Sequence, residues 1–328
     1  MTHRMPAEWT PQERLWIGFP GDPAEWPASL PEAQRQAAAF ANAVAQYGAA
    51  VTLLTRTADD FALACSLAAP TVEVRHEPFG DIWVRDTGPI GVLRADGSRV
   101  LVDFDFNGWG GKFQMAGDQD IGARLAAPTG LPLNKGPMIL EGGAIDTDGT
   151  GLFVSTEQCL LNPNRNPALD RRQIETLLSG TLGLSSMLWL GDGLINDHTD
   201  GHVDNLARFV APGILALPEA TTQDDPNRAI FADAAARARA FGVELALMPS
   251  VGLFEMDGQV QPASYMNFCI ANGVVIVPQY GAPNDQAAIE ALTPFFPDRT
   301  LVGLPCDAIL RGGGGFHCMS QQLPAASV

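Results

Sequence analysis

Cys318 stands three residues after a run of glycines, Gly312 to Gly315, in the segment RGGGGFHCMSQQ. Such a run takes every side chain off the approach to the thiol and admits backbone angles that other residues resist, which suits close contact with a planar ligand. A buried structural cysteine in a loop would look the same in isolation. A phosphate-cradling loop is the other reading of the glycines, but no Gly-Lys-Ser/Thr follows and no strand, turn and helix spacing surrounds them. Cys65, Cys159, Cys269 and Cys306 sit in apolar or strand-like settings and are expected to fill core.

His202 and Asp204 alternate in GHVDN, so on a strand they would share a face. A histidine beside a carboxylate can act as general acid toward a leaving amine and then as base toward water. The rival is a metal site, because Asp192, Asp197, His198, Asp200, His202 and Asp204 crowd one short segment, and the four-residue spacing of His198 and His202 suits one helix face. Against it, Thr199, Asp200 and Gly201 form helix poorly, and no regular calcium-loop pattern runs through the acids.

Asp86 ends DIWVRD before Thr-Gly-Pro, a strand-to-turn signal that would leave its carboxylate at a strand end, with an ion pair to Arg85 as the plainer role. Glu141 precedes two glycines in ILEGGAI and could line a pocket or merely open a turn. Together these residues supply a thiol, a histidine and two or three carboxylates, with no evident cofactor. Carboxylates pair with a guanidinium in a planar fork, which a thiolate at the right height could attack at the central carbon. The bound cation would favour the thiolate.

The elements that must position these groups repeat. Five segments lead a polar or Gly-rich stretch into apolar, strand-like runs, with polar markers at Asp86, Glu141, Asp204, Asn267 and Cys318, spaced 55, 63, 63 and 51 residues apart. Between markers, apolar spacing predicts helices over 31–47, 167–182, 226–241 and 284–296, most of them followed by short strands such as VTLLT, SMLWL, VELALM and TLVGL. The order predicts an α/β fold with equivalent positions converging on the axis of a ring. An ordinary α/β sheet with evenly spaced loops is the alternative.

The 328 residues bear a net charge of -17, the wrong sign for a phosphate-binding surface, so nucleic acid is an unexpected partner and a small cationic substrate an expected one. Five scattered cysteines in a chain of this size point to a reducing cytoplasm. The N-terminal residues lack an apolar leader, and no apolar run is long enough to span a membrane. No linker divides the sequence, so one domain over 1–328 is expected.

At these residues the sequence resembles the agmatine deiminase family, related to bacterial peptidylarginine deiminase. The resemblance runs through MPAEWTPQE, WVRDTGP, FNGWGG, LEGG, TEQCLLNPNRNP, DGHVDN and GGGGFHCMSQQ. It implies a five-bladed α/β propeller, or pentein, of ββαβ units, and a homodimer. It further implies Cys318 as nucleophile, His202 as acid and base, Asp86 and Asp204 as guanidinium clamps, and Glu141 as a further active-site carboxylate. Asn267 matches a polar active-site position, and Trp83 is expected to wall the pocket. The implied reaction converts agmatine to N-carbamoylputrescine and ammonia through a thiouronium adduct on Cys318, without cofactor or metal.

Two departures bear on substrate choice. Better-known relatives read Glu-Thr-Asn before GHVDN, where this chain has His198, Thr199 and Asp200, so Asp200 is expected to receive the distal ammonium or the substrate differs. Gly315 stands where many relatives have Asn. The alternatives are another guanidine, such as peptidyl-arginine or free arginine, and a metal-dependent hydrolase using the His198 to Asp204 acids. The same propeller also serves as a ribosome-binding initiation factor, which the acidic charge disfavours.

Overall fold

A computed structural model describes residues 3–326, so the two outermost residues at each end of the expected 1–328 unit lie outside the described residues. Strand Ile90–Arg94 turns back antiparallel into Arg99–Asp105, the chain crosses through helix Ile121–Ala126, and Leu133–Ile139 returns parallel to Arg99–Asp105. Such a parallel return requires a crossover, which the helix supplies while covering the sheet.

The same hairpin, helix and parallel strand recur three times. They run through Asp146–Thr147, Leu152–Thr156, Arg171–Leu182 and Ser186–Leu190. Next come Arg208–Ala211, Ile214–Glu219, Arg228–Phe241 and Glu244–Pro249. The third copy uses Cys269–Ala271, Val274–Gln279, Asp285–Leu292 and Thr300–Pro305.

The fifth sheet draws on both ends of the chain. Ser320–Pro324 lies antiparallel to Gln12–Gly18, and Val51–Thr55 and Val72–His76 continue it in parallel, linked by helices Leu30–Gln46 and Ala58–Leu67. Five separate ββαβ sheets replace the single sheet of the alternative reading, and the fold is an α/β propeller of the pentein kind. Strands covered on both faces carry unbroken apolar runs, as in Val274 to Val277, all fully buried. Helix Leu30–Gln46 reaches the turn that carries Cys318 through Phe40, whose ring lies 4.7 Å from that of Phe316.

The expected helices form, but two start later than their prolines. Pro167 and Pro226 precede helices that begin at Arg171 and Arg228. In the former, Asp170 accepts from Gln173 N while the Gln173 side chain accepts from Asp170 N, a reciprocal cap that sets the start. Helix Ala58–Leu67 was not expected from the spacing. It puts Cys65 at the surface, contrary to the expected core position, while Cys159, Cys269 and Cys306 are buried. All five cysteines are unpaired, and no described helix is long and apolar enough to cross a membrane.

Each polar marker sits on a short turn just before the first strand of a hairpin. Asp86 lies in Val84–Thr87, Glu141 caps Gly142–Ala144, Asp204 lies in Val203–Asn205, Asn267 ends Tyr265–Asn267, and Cys318 occupies the turn before Ser320–Pro324.

Candidate active site

The strand geometry expected for His202, Asp204 and Asp86 is replaced by these turns. His202, with extended φ and ψ of -54° and 138°, caps the 3-10 turn that contains Asp204. Asp86 sits in one helical turn, which swings Arg85 the other way, so the plain Asp86–Arg85 ion pair does not form. The Arg85 guanidinium instead donates to Gln321 at 2.9 Å and Gln322 at 2.7 Å.

The turns hydrogen-bond to one another across blades. Asn267 Nδ2 donates to Cys318 Sγ at 3.0 Å and to Asn205 Oδ1 at 2.8 Å, while its Oδ1 accepts from the backbone N–H of His317 at 3.0 Å and Cys318 at 3.2 Å. The thiol lies 3.4 Å from Asp204 Oδ2. Asp86 Oδ1 accepts from Gly143 N and Oδ2 from Trp109 Nε1, both at 2.9 Å, and His202 Nδ1 is 3.7 Å from Asp86 Oδ1. Glu141 Oε1 accepts from Arg165 Nε at 2.7 Å.

Among the described residues, two buried carboxylate oxygens here have no hydrogen-bond partner: Asp204 Oδ1 and Glu141 Oε2. Buried polar groups are normally paired, so these two free carboxylate oxygens mark where a ligand with N–H donors fits.

Charge states follow from this crowding. Burial, then Asp204 and Asp86, push the Cys318 thiol well above the ordinary cysteine range. Burial works against a charged His202, but the carboxylate of Asp86, the neighbouring Cys159 and Glu141 outweigh it and raise the imidazole well above its usual value. Burial lifts Asp86 to about 6, with His202 opposing and Asp204 adding to the rise. Asp204 is lowered despite its burial, because His317 hydrogen-bonds to it and faces it with positive charge.

A cavity of about 120 Å³ leads from Cys318 and Asp86 outward. Trp83 and Gly312 to Gly314 line it. The bare glycines are required by contact: a Cβ on Gly314 would stand 2.7 Å from the Trp83 ring and 3.0 Å from Cys318 Cβ. The Asn missing at Gly315 has no room here, since a Cβ there would come within 2.7 Å of Asn267 Oδ1.

Glu25, Asp81, His198, Thr199 and Arg311 also line the cavity. Asp200 is not among the lining residues. Its carboxylate is held by Lys112 Nζ at 2.7 Å, by Asn164 Nδ2 at 2.9 Å and by Arg165, so it is already engaged away from the cavity. Asp81, 6% exposed, is lifted to about 8 by burial and by the carboxyls of Glu25 and Asp118. Glu25 is raised by burial and by Asp22. Arg311 is engaged by Asp257 at 2.8 Å.

The acids of 192–204 do not gather around one point. Asp197 accepts from Thr199 and Asn205, Asp200 from Lys112 and Arg165, Asp204 from His317. Among the described residues, the metal-ligand types that do come together are Glu141, Cys159 and His202, within 4.8 Å of one another, and Glu141 already holds Arg165.

Sequence reasoning missed Arg165, Trp109, Glu8, His317, Cys159, Glu25, Arg311 and Asp81. Glu8, Trp109 and Arg165 lie in the segments MPAEW, FNGWGG and NPNRNP, but their letters do not show which turn they meet.

A ring of five ββαβ units with a thiol, an imidazole and carboxylates at its hub defines the guanidino-group-modifying class of pentein proteins. The sequence profile of the Porphyromonas-type peptidyl-arginine deiminases matches residues 4–324, and the chain belongs to that family. It is 36% identical to an agmatine deiminase of Pseudomonas fluorescens, across 98% of this chain and 95% of that protein. It is 37% identical to one of Stutzerimonas stutzeri, across 99% and 96%. Among solved structures, the agmatine deiminase of Enterococcus faecalis superposes with a TM-score of 0.92 at 32% identity, covering 99% of this chain and 97% of its own. A cysteine-to-serine variant of the C. jejuni agmatine deiminase with substrate bound gives 0.93 at 30% identity, with the same coverage. An amidinotransferase from Microseira wollei, at 12% identity and a TM-score of 0.59, shares the fold alone.

Proposed function

We propose that the chain hydrolyses agmatine to N-carbamoylputrescine and ammonia, with Cys318 as nucleophile, His202 as acid and base, and Asp86, Asp204 and Glu141 holding the guanidinium. The observation that carries this is the pair of unpartnered buried carboxylate oxygens, Asp204 Oδ1 and Glu141 Oε2, near the thiol, which the N–H groups of a planar cation would satisfy. Relatives named agmatine deiminases along nearly the whole chain support the choice of substrate.

The free site holds a neutral thiol beside an imidazolium. A bound guanidinium adds positive charge near Cys318 and lets the thiol release its proton to solvent. The thiolate attacks the guanidino carbon, and the tetrahedral adduct expels ammonia as His202 donates a proton, which leaves a cationic thiouronium on sulfur. Neutral His202 then takes a proton from water, hydroxide adds to the same carbon, and collapse yields the carbamoyl product and the Cys318 thiol. The sum is agmatine plus water giving product plus ammonium.

The distal ammonium is received by Asp81 and Glu25, two acids on the cavity wall with no basic side chain hydrogen-bonded to either. A free α-carboxylate would face the same acids, and Arg311 already has Asp257. This favours an amine over an amino acid. Five unpaired cysteines, one of them the nucleophile, suit a reducing compartment such as the cytoplasm.

The decisive assay measures ammonia from agmatine, arginine and a peptidyl-arginine with wild type and Cys318→Ala. Agmatine is expected to be the best substrate and the alanine variant inactive. Silence on all three removes the substrate assignment, and full turnover by Cys318→Ala removes the nucleophile.

A further inference from the structure

We propose that Glu8 and His317 form a positioning pair that fixes the Asp204 carboxylate for the incoming guanidinium, with Glu8 acting through the His317 ring. The proposal rests on the deiminase reading of the same site. His317 Nδ1 lies 2.7 Å from Asp204 Oδ2, and its Nε2 lies 2.9 Å from Glu8 Oε2. Carboxylate oxygens only accept, so both ring nitrogens donate and the ring bridges the two acids as a cation. A ring tethered at both ends cannot turn. Asp204 Oδ2 is thereby committed, which leaves Oδ1, buried and without a protein partner, for a substrate N–H.

The far end of the bridge is itself anchored. Glu8 Oε1 accepts from Ile270 N at 2.7 Å, and Oε2 also accepts from Arg208, which donates to Phe268 O at 2.9 Å and faces Asp146 at 3.3 Å. Glu8, His317, Asp204 and Arg208 are all at most 5% exposed. Desolvating so many charges is a poor route to stability compared with apolar packing of the same volume, so cohesion alone does not account for the array. Held rotamers and second partners are what a carboxylate needs to meet a substrate in one geometry.

The test compares wild type with Glu8→Gln, with His317→Gln, which keeps an N–H toward Glu8 and loses the one toward Asp204, and with the double variant. Three quantities are followed: the thermal midpoint, kcat/KM for agmatine, and the rate at which iodoacetamide alkylates Cys318 without substrate. Each single change is expected to lower kcat/KM by roughly tenfold to a hundredfold while the protein remains folded, and the double change to do no worse than the worse single. Alkylation is expected to slow severalfold, because an unbridged Asp204 disfavours the nearby thiolate.

A purely structural pair would loosen the turn and leave alkylation unchanged or faster. That result, or kcat/KM within twofold of wild type, overturns the proposal, and additive losses in the double variant overturn the claim that Glu8 acts through His317. Should Glu8→Gln fail to fold, Glu8→Asp, too short to reach His317, takes its place with the same expected losses. If wild type releases no ammonia from any guanidine, the function fails separately, and the alkylation rates still decide the positioning.

Discussion

Gly143 lies against His202: a Cβ built on it would fall 2.7 Å from His202 Nδ1, 2.9 Å from Asp86 Oδ1 and 3.1 Å from Asp204 Oδ2. One missing methyl group therefore lets three reactive side chains from two turns share the hub. Gly143→Ala is expected to fold and to lose about a hundredfold in kcat/KM, since a displacement near 1 Å in such a constellation costs about that much. Circular dichroism with steady-state ammonia release checks both halves, and near-normal kcat/KM would show that the hub tolerates displacement.

The thiol and imidazole are both shifted upward, which fixes the direction of the pH profile. In the free enzyme kcat/KM is expected to rise with pH as Cys318 deprotonates and to fall once His202 loses its proton, both limbs lying alkaline of the groups' ordinary values. Bound guanidinium stabilises the thiolate, so the rising limb of kcat should lie at lower pH than that of kcat/KM. Coincident limbs in the two profiles would contradict substrate-favoured ionisation.

Asp81, with its carboxyl at about 8, is largely protonated at neutral pH in the free cavity. Agmatine is expected to bind more tightly as pH rises through that value, and Asp81→Asn to raise KM for agmatine at least tenfold and to remove this dependence. Glu25→Gln should act in the same direction more weakly. Equal KM increases for agmatine and for a guanidine lacking the distal amine would place the two acids elsewhere in recognition.

The same acid bears on stability. A carboxyl whose folded-state value is raised holds its proton longer folded than unfolded, so stability falls as pH rises from the unfolded value near 4 to about 8. Asp81→Asn is therefore expected to raise the thermal midpoint at pH 8 and to change it little at pH 4, while binding suffers. Glu8 behaves oppositely. Its value is lowered, despite burial, by Arg208 and His317, so the stability it adds is present at neutral pH and fades in acid below its unfolded value. A melting series of Glu8→Gln against wild type from pH 7 downward should show a gap that narrows.

What could be read in advance follows from how local each signal is. The ring was legible because each blade places one polar residue at the same point before apolar strands, so Asp86, Glu141, Asp204, Asn267 and Cys318 announce the period by themselves. Their backbone was not, because a single helical turn is too short to leave a periodic pattern, and GHVDN alternates as a strand would. Asp200 misled for a related reason: its place beside GHVDN suggested the cavity, but the positive φ of 66° turns the chain there and its carboxylate meets Lys112 and Arg165. Glu8 and His317, or Arg165 and Glu141, are pairs made between loops, and no spacing along the chain shows which loops face each other.

The fifth sheet sets a limit on when the protein can work. Ser320–Pro324 must pair with Gln12–Gly18, so the turn that carries Cys318 is fixed only after the chain has come full circle. During synthesis the earlier blades can fold while the ring stands open, with neither Cys318 nor the His317 ring that tethers Asp204 yet at the hub. On the proposed mechanism, catalytic competence is thus tied to closure of the ring, when Ser320–Pro324 docks beside Gln12–Gly18.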